Sequence, residues 1–140
     1  MMKPSDTDCA ARVRASFDRQ KLMTTLGAKL EKVEAGTVSI RLPFRDDLTQ
    51  QNGFLHAGAL TAVADSACGY AALSLMPASA DVLSIEFKIN MLSPATGDVV
   101  ARGEVIRAGR KIMVCRADVY AGEKLVAAMQ GTMMVVTDRE

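Results

Sequence analysis

A long apolar segment near the middle of the chain is the strongest feature of its hydrophobic pattern. From Ala57 to Met76 the residues are small or apolar almost throughout, and Asp65 is the only carboxylate among them. A segment that is apolar on all sides favours a helix that is buried over most of its surface. We therefore predict one long buried helix over about 57–76, which ends before Pro77.

Alternation of apolar and polar residues predicts strands on both sides of this helix. Val38, Ile40 and Leu42 alternate with polar neighbours, as the residues of a half-buried strand do. The last strands are joined by short loops, which indicates antiparallel pairing. The same period, with turn residues in between, predicts six strands, at about 28–34, 37–43, 81–92, 98–107, 112–121 and 124–136.

The region before the strands is predicted to be helical. Apolar residues recur there at spacings of three and four from Cys9 to Leu26, and Gly27 is a suitable C-terminal stop. We assign 1–27 to an N-terminal helical segment and 28–140 to a single domain. The predicted fold class is α+β, with about six antiparallel strands wrapped around the long helix. Because 140 residues leave little else to cover that helix, we expect a second subunit to cover part of it.

Composition and charge exclude several classes of partner. The net charge is +1 and 4% of the residues are aromatic, which disfavours nucleic acid and anionic membranes as partners. The three cysteines have no metal-type spacing, and their odd number suits a reducing compartment, so we predict a cytoplasmic protein without a metal. The N-terminus lacks the apolar stretch of a secretory signal. The apolar run reaches membrane-spanning length, but small residues and a central Asp65 favour burial in protein.

Asp65 is the first candidate for chemistry, because burial penalises its charged form unless the residue has a partner or a function. In one interpretation it is a structural residue with a basic or hydrogen-bonding partner. In the other it is a general base or nucleophile. Asp65 lies about 12 Å from the start of the predicted helix, too far to serve a ligand held there. In a symmetric dimer it could serve the helix start of the second copy.

The start of the helix is the second candidate. The backbone N–H groups of Ala57 and Gly58 belong to its first turn and could hold developing negative charge. His56, the only histidine, precedes them and could act on a substrate or simply cap the helix. Asn52 is a loop amide that could orient a carbonyl group or a water molecule, although loop amides are usually solvated.

These motifs resemble a known family. Asn52-Gly53-x-x-His56-x-Gly58, the small-residue helix with Asp65, and Leu92-Ser93-Pro94-Ala95 resemble the hotdog-fold thioesterases of the phenylacetate-degradation (PaaI-like) type, relatives of the 4-hydroxybenzoyl-CoA thioesterases. The resemblance covers about 30–137. It implies an acyl-CoA thioester hydrolase that works as a homodimer or a dimer of dimers, with active sites at subunit interfaces. It also implies no cofactor, since coenzyme A is part of the substrate.

The resemblance also implies roles for individual residues. Asp65 would be the general base or nucleophile, Asn52 and His56 would position water and substrate, and the Ala57 N–H would hold the oxyanion. Ala57 departs from the family's usual His-Gly-Gly, but a backbone donor survives the added methyl group. Ser84 matches a position that orients water in some members. Its alternation with Glu86 and Lys88 places it on the polar face, so this role requires a β-bulge or burial by a partner chain.

Two further sets of residues are candidates for substrate binding. Around the motif and the helix, an acyl pocket could be formed by Gly53, Phe54, Leu55, Gly69, Tyr70, Met91 and Met113. A basic turn could bind the phosphates of coenzyme A through Arg107, Arg110 and Lys111, although it could equally be a solvated turn. Cys68, three residues after Asp65, is interpreted as a packing residue.

Three functions are weighed, and hydrolysis is the one that we predict, because the Asn52 and Gly58 context fits it better. The first is hydrolysis of an acyl-CoA with an aryl, phenylacetyl or medium-chain acyl group. The second is a dehydratase or hydratase of 3-hydroxyacyl thioesters, since a histidine and an acid are both present. The third is a non-catalytic acyl-CoA binding protein in which Asp65 is structural. One fold can host all three.

Overall fold

The computed structural model describes residues 8–137 and contains three α-helices, one turn of 3-10 helix at Asp46–Leu48 and six β-strands. The helices are α1 (Cys9–Arg19), α2 (Lys21–Leu26) and α3 (Ala57–Leu73). The strands are β1 (Lys29–Glu34), β2 (Thr37–Leu42), β3 (Asp81–Met91), β4 (Val99–Ala108), β5 (Ile112–Ala121) and β6 (Lys124–Val136).

The six strands form one antiparallel sheet in the order β1-β2-β4-β5-β6-β3. Helix α3 packs against five of them, and its buried side chains join those of the inner sheet face in a single core. The prediction of a hotdog fold, a sheet wrapped around one long helix with an N-terminal helical segment, is therefore confirmed. The interior position of α3 agrees with its composition, since ten of its 17 residues are buried.

Helix α3 approaches the sheet most closely at Gly103 of β4. A Cβ atom at this position would lie 2.3 Å from the carbonyl oxygen of Ala67 and 2.9 Å from the backbone nitrogen of Cys68. Only glycine leaves room for such contact between two backbones. Gly103 therefore fixes the depth at which the helix, and with it Asp65, sits on the sheet.

The predicted end of the long helix is wrong by three residues. The helix stops at Leu73 rather than Met76, and the chain passes through a turn before Pro77. Buried Ser74 donates a hydrogen bond to the Ala71 carbonyl oxygen and accepts one from the Gly36 N–H. The guanidinium of Arg12 also donates to the carbonyl oxygens of Leu73 and Met76, at 3.2 and 3.1 Å. These contacts satisfy carbonyl groups that another helical turn would have paired.

The N-terminal segment consists of two helices with a break at Gln20, and Gly27 ends the second one with φ of 75°. Val13, Phe17 and Met23 are buried, which fixes the segment on the domain. Arg12 of α1 is half-buried against the end of α3. The predicted boundary at residue 27 therefore separates two parts of the chain that share one core. Residues 1–7 and 138–140, which the predicted division also includes, lie outside the described residues.

Strand β3 forms one edge of the sheet and, within the described chain, pairs with β6 alone. Its pairing shifts between Ser84 and Glu86, which is the β-bulge that a role for Ser84 requires. The predicted apolar face of this strand is not covered, since Leu83, Ile85 and Phe87 are 60%, 51% and 41% exposed. Because of the bulge, Leu83 and Phe87 point to different faces of the sheet. No element of the described chain covers either side chain.

Among residues 8–137, no helix is long and apolar enough to cross a membrane.

Candidate active site

Asp65 and Ser84 are in direct contact. Asp65 is half-buried on α3, and the Ser84 hydroxyl donates a 2.7 Å hydrogen bond to its Oδ1. The bulge in β3 turns Ser84 toward the helix, beside the buried Met133, whose sulfur lies 3.3 Å from the Ser84 hydroxyl. Sequence alternation had placed Ser84 on the polar face with Glu86, and the inserted residue of the bulge is the reason that this expectation fails.

A cavity of about 490 Å³ adjoins the Asp65 carboxylate. That volume suits a small organic group, since ligand pockets span roughly 300–1,000 Å³. Four predicted site residues line it, namely Asp65, Gly69, Tyr70 and Ser84. The rest of its lining is Ser16, Gln20, Ser66, Leu73, Asp81, Val82, Leu83 and Val136.

The N-terminal segment contributes a polar cluster to this cavity that the sequence prediction missed. Ser16 donates to the Tyr70 hydroxyl at 3.2 Å, and the Gln20 amide nitrogen donates to the same oxygen at 2.9 Å. Ser66 donates to the Gln20 amide oxygen at 3.2 Å. The sequence did contain a signal for this cluster. Ser16 and Gln20 follow the buried residues Val13 and Phe17 by three residues each, which places them on the same face of α1 and its C-terminal end.

The start of α3 is capped by His56. Its backbone is extended, with φ of −64° and ψ of 140°, and its Nδ1 accepts the Gly58 N–H at 2.7 Å. The prediction that Gly58 offers an open backbone donor is therefore wrong, because the histidine side chain occupies it. Among the described residues, the Ala57 N–H donates to no acceptor. A neutral imidazole that accepts at Nδ1 carries its proton on Nε2, which gives His56 a donor of its own.

Backbone hydrogen bonds hold the loop before His56. The His56 N–H donates to the Leu48 carbonyl oxygen at 2.9 Å, and the Leu55 N–H donates to that of Ala95 at 2.8 Å. The second bond explains the position of the Leu92-Ser93-Pro94-Ala95 motif beside the helix start. Both Asn52 and Gly53 are exposed on a tight turn.

Gln50 closes this turn. Its side-chain oxygen accepts the backbone N–H groups of Asn52 and Phe54, and Gly53 has φ of 84°. The prediction emphasised Asn52 and missed Gln50, whose only signal in the sequence is its place in a run of three amides.

A second cavity, of about 340 Å³, lies at the helix start. Phe54, Leu55, Ala57 and Met91 line it together with Gln50, Leu60, Leu92, Ser93 and Pro94. A single chain does not join these residues to Gly69 and Tyr70 in one pocket, so the predicted acyl pocket requires two chains and stays a prediction. The two groups line separate cavities, and Met113 belongs to the core.

A single chain does not bring Asp65 to its own helix start. His56 and Asp65 are nine residues apart on the same helix, which corresponds to about 13 Å along its axis. Asp65 lines the larger cavity, whereas the helix start lines the smaller one. The two halves of the predicted site are therefore present in one chain but separated.

The basic turn between β4 and β5 lies at the Asp65 end of the sheet. Arg107, Arg110 and Lys111 are all exposed, and the Lys111 carbonyl oxygen accepts the Val135 N–H at 2.8 Å. Val135 is the β6 partner of Val82, which lines the larger cavity. The turn and the cavity therefore share one edge of the molecule.

Cys68 and Cys115 are unsuited to nucleophilic chemistry. Burial raises the pKa of the Cys68 thiol far above its ordinary value, and the nearby Cys115 and Asp65 raise it further. Burial also raises the pKa of Cys115 to about 12. A thiol with so high a pKa stays protonated near neutral pH, which agrees with a packing role for Cys68. Within residues 8–137, no three His, Cys, Asp or Glu side chains come together in a group that could hold a metal ion.

Comparison with known proteins identifies relatives over most of the chain. The thioesterase superfamily model matches residues 52–128. A Halobacterium salinarum protein named as an esterase is 31% identical over 117 residues, covering 80% of this chain and 78% of its own. A 1,4-dihydroxy-2-naphthoyl-CoA hydrolase of Listeria monocytogenes is 27% identical over 121 residues, covering 85% and 98%.

A solved structure agrees with the same assignment. The crystal structure of a thioesterase family protein from Silicibacter pomeroyi superposes with a TM-score of 0.91 at 46% identity, covering 93% of this chain and 99% of the other. The motif around His56, the helix with Asp65, three of the six strands and the start of β6 lie within the matched residues 52–128. The narrower PaaI-like type stays a prediction. By fold and by sequence, the chain belongs to the thioesterase superfamily.

Proposed function

We propose that this protein hydrolyses an acyl-CoA thioester to the free acid and coenzyme A. The observation that carries the proposal is the Asp65 carboxylate, held by Ser84 at the wall of a cavity of about 490 Å³. Asp65 takes a proton from water as the water oxygen attacks the thioester carbonyl carbon. The carbon–sulfur bond then breaks, and the sulfur leaves as the coenzyme A thiol after it gains a proton. Direct attack by the carboxylate followed by hydrolysis gives the same products.

The negative charge that develops on the carbonyl oxygen needs a donor, and the Ala57 N–H is the candidate. It lies at the positive end of α3, and no described residue accepts from it. His56 adds the Nε2 proton, and Asn52 is exposed nearby. The reaction requires no cofactor besides the coenzyme A of the substrate.

A homodimer joined through β3 would bring the two halves of the site together. Edge strands expose unpaired backbone groups, and β3 is eleven residues long with exposed apolar side chains at Leu83, Ile85, Phe87 and Met91. Two-fold symmetry requires two copies of β3 to pair antiparallel. The Asp81 end of one strand then meets the Met91 end of the other. Asp65 and Ser84 lie near the first end and the helix start lies near the second, so each dimer contains two complete sites.

The same dimer would provide binding positions for the acyl group and for the coenzyme A phosphates. The acyl group enters the cavity beside Gly69 and Tyr70, with the partner's helix-start cavity next to it. The basic turn with Arg107, Arg110 and Lys111 lies at the same edge, where it could bind coenzyme A phosphates. The Listeria relative, named as a naphthoyl-CoA hydrolase, supports coenzyme A as the thiol.

A second contact would make a dimer of dimers. Leu83, Met134 and Ile112 follow one another across β3, β6 and β5, and all three are exposed. Ile106 of β4 is exposed as well. Packing of two such patches against each other would cover side chains that the β3 contact leaves in water.

The proposal is tested by measuring thiol release from a panel of benzoyl-, phenylacetyl-, hexanoyl- and decanoyl-CoA. We expect catalytic turnover with at least one of them. A change in enoyl thioester absorbance without free thiol would replace the proposal with a dehydratase or hydratase. Saturable binding without turnover would replace it with an acyl-CoA binding protein.

Ser84→Ala should lower kcat about tenfold, because it removes the hydrogen bond that orients the Asp65 carboxylate, and a bond to a charged group contributes about 1.5–3 kcal/mol. The measurement is thiol release at saturating substrate. Ser79→Ala, in the exposed turn before β3, is the matched control and should leave kcat unchanged. Unchanged kcat in Ser84→Ala would show that Asp65 needs no such support.

Two inactive variants should restore each other if the site is composite. Ala57→Pro removes the backbone donor, and proline is tolerated at the first helical position after an extended residue such as His56. Asp65→Asn removes the acid. When the two variants reassociate at random, about one half of the dimers are heterodimers. One of the two sites in each heterodimer is intact, so we expect about a quarter of the wild-type activity. Absence of any recovery in a mixture shown to contain heterodimers would contradict the shared site.

A further inference from the structure

The helix start that carries the Ala57 N–H rests on the 3-10 turn Asp46–Leu48. The Leu48 carbonyl oxygen accepts the His56 N–H at 2.9 Å, so this turn fixes the backbone of the residue that caps α3. Because the peptide bond between His56 and Ala57 is planar, the backbone of His56 sets the direction in which the Ala57 N–H points. The position of the 3-10 turn therefore decides where the proposed oxyanion donor lies.

The side chain of Arg45 joins this turn to the N-terminal helical segment. Its Nη2 donates to the Thr25 carbonyl oxygen of α2 at 3.2 Å. Its Nε donates to Asp47 Oδ1 at 2.9 Å and its Nη2 donates to Oδ2 at 3.3 Å, so the guanidinium and the carboxylate form a forked pair. One guanidinium thus contacts both the 3-10 turn and the end of α2.

Gly27 leaves the space that this contact needs. A Cβ atom at Gly27 would lie 2.9 Å from Nη1 of Arg45, so a larger residue would push the guanidinium away. The last carbonyl groups of a helix have no partner within it, and Arg45 supplies a charged donor to the one at Thr25. The contact is therefore built by two segments that are separate in the chain.

The exposure of this pair indicates what it can contribute. The side chains of Arg45 and Asp47 are 43% and 71% exposed, and a pair so exposed adds little to the free energy of unfolding. The hydrogen bond from Arg45 holds the pKa of Asp47 below its ordinary value, so the pair stays charged at neutral pH. A small energy can still select one position of a loop, and a displacement of about 1 Å can lower a rate about a hundredfold. The effect of Arg45 is therefore expected in catalysis rather than in stability.

We propose that Arg45 is a positioning residue for thioester hydrolysis: it holds the 3-10 turn against α2 and thereby keeps the Ala57 N–H directed at the developing oxyanion. The inference rests on the proposed function and adds to it a residue that contacts no substrate. It also gives the N-terminal segment a part in both halves of the site. Through Gln20 this segment borders the Asp65 cavity, and through Thr25 it supports the helix start.

Arg45→Ala should lower kcat about fivefold, which is the effect of one net hydrogen bond. KM should stay within about twofold of the wild type, because the donor acts mainly on the transition state. Arg45→Lys should recover part of the loss, since lysine keeps the charge but cannot form the fork. Thiol release measures both constants, and the thermal midpoints of both variants should stay within about 3 °C of the wild type.

Arg19→Ala is the matched control. Arg19 is exposed on α1 and donates to the Ala15 carbonyl oxygen of its own helix at 3.2 Å, so its removal leaves the 3-10 turn in place. We expect kcat and KM of Arg19→Ala to equal those of the wild type.

A double-mutant cycle separates positioning from a general structural role. Ala57→Pro removes the donor, so Arg45→Ala should lower kcat by less than about twofold in that background. An equal loss in both backgrounds, or an unchanged kcat in Arg45→Ala, would overturn the inference. Wild-type kcat in Ala57→Pro alone would also overturn it, while leaving hydrolysis itself intact.

Hydrogen exchange tests the inference without turnover. Loss of the Arg45 contacts should raise the exchange rate of the His56 N–H about fivefold, because the 3-10 turn opens more often. Arg19→Ala should leave that rate unchanged. Absence of thiol release from every thioester would overturn the proposed function, and the exchange rate would then decide whether Arg45 positions the helix start. An unchanged rate in Arg45→Ala would overturn the positioning role.

Discussion

Asp65→Asn is expected to lower kcat for thioester hydrolysis by about a thousandfold, within the range of 10²–10⁴ typical of a positioned general base. Asparagine keeps the shape of the side chain, and its amide oxygen can still accept the Ser84 hydroxyl that contacts Oδ1 in the native protein. It has no basic lone pair of comparable strength, so the attacking water keeps its proton. Thiol release under saturating substrate measures the effect.

Two controls make this result specific to the site. The thermal midpoint of Asp65→Asn should stay close to that of the wild type, because its volume and hydrogen bond are preserved. Asp18→Asn removes an exposed carboxylate of α1 and should leave kcat unchanged. If Asp65→Asn retained kcat within a few-fold of the wild type, Asp65 would be a structural residue.

The second large effect is on stability. Gly103→Ala should lower the thermal midpoint by about 10 °C, since overpacking of this kind costs roughly 3 kcal/mol. The new methyl group would lie 2.3 Å from the Ala67 carbonyl oxygen, and a backbone atom cannot move aside as the end of a side chain can. Helix α3 must therefore shift away from β4. Circular dichroism melting at matched protein concentration measures the change.

Gly97→Ala is the matched control for Gly103→Ala. A Cβ atom at Gly97 meets nothing within 4 Å, and its backbone is not left-handed. We expect its thermal midpoint to stay within about 2 °C of the wild type. Equal midpoints for the two variants would mean that the helix tolerates a shift at no cost. Below its melting temperature, Gly103→Ala should also lose activity, because the shift carries Asp65 with it.

Much of the fold could be predicted because local pattern and tertiary structure agree. The β2 alternation of Val38, Ile40 and Leu42 places all three in the core. The apolar run after His56 contains one helix inside the sheet. Its end could not be predicted, because Arg12 donates to the Leu73 carbonyl oxygen from a distant segment and the Ser74 hydroxyl accepts the Gly36 N–H from another. Contacts between residues sixty positions apart leave no local signal.

The candidate site was predictable in its parts and not in their grouping. Asp65 and Ser84 were both singled out, but no residue near Ile85 signals the bulge that joins them. Phe54 and Met91 were assigned to one pocket with Tyr70, whereas one chain places them at a different cavity. Gln20 was missed because a polar residue on a buried helix face can be explained only after its partner, Tyr70, is known.

The contact of Arg12 with the end of α3 has a consequence for how the protein folds. The guanidinium joins the N-terminal segment to carbonyl oxygens 61 and 64 residues later in the chain. The Leu73 carbonyl oxygen already accepts the Met76 N–H, and docking of the first helix adds a second donor there and a donor for the Met76 carbonyl oxygen. We therefore expect the N-terminal helices to unfold together with the sheet and the central helix. Removal of these helices should destabilise the whole domain.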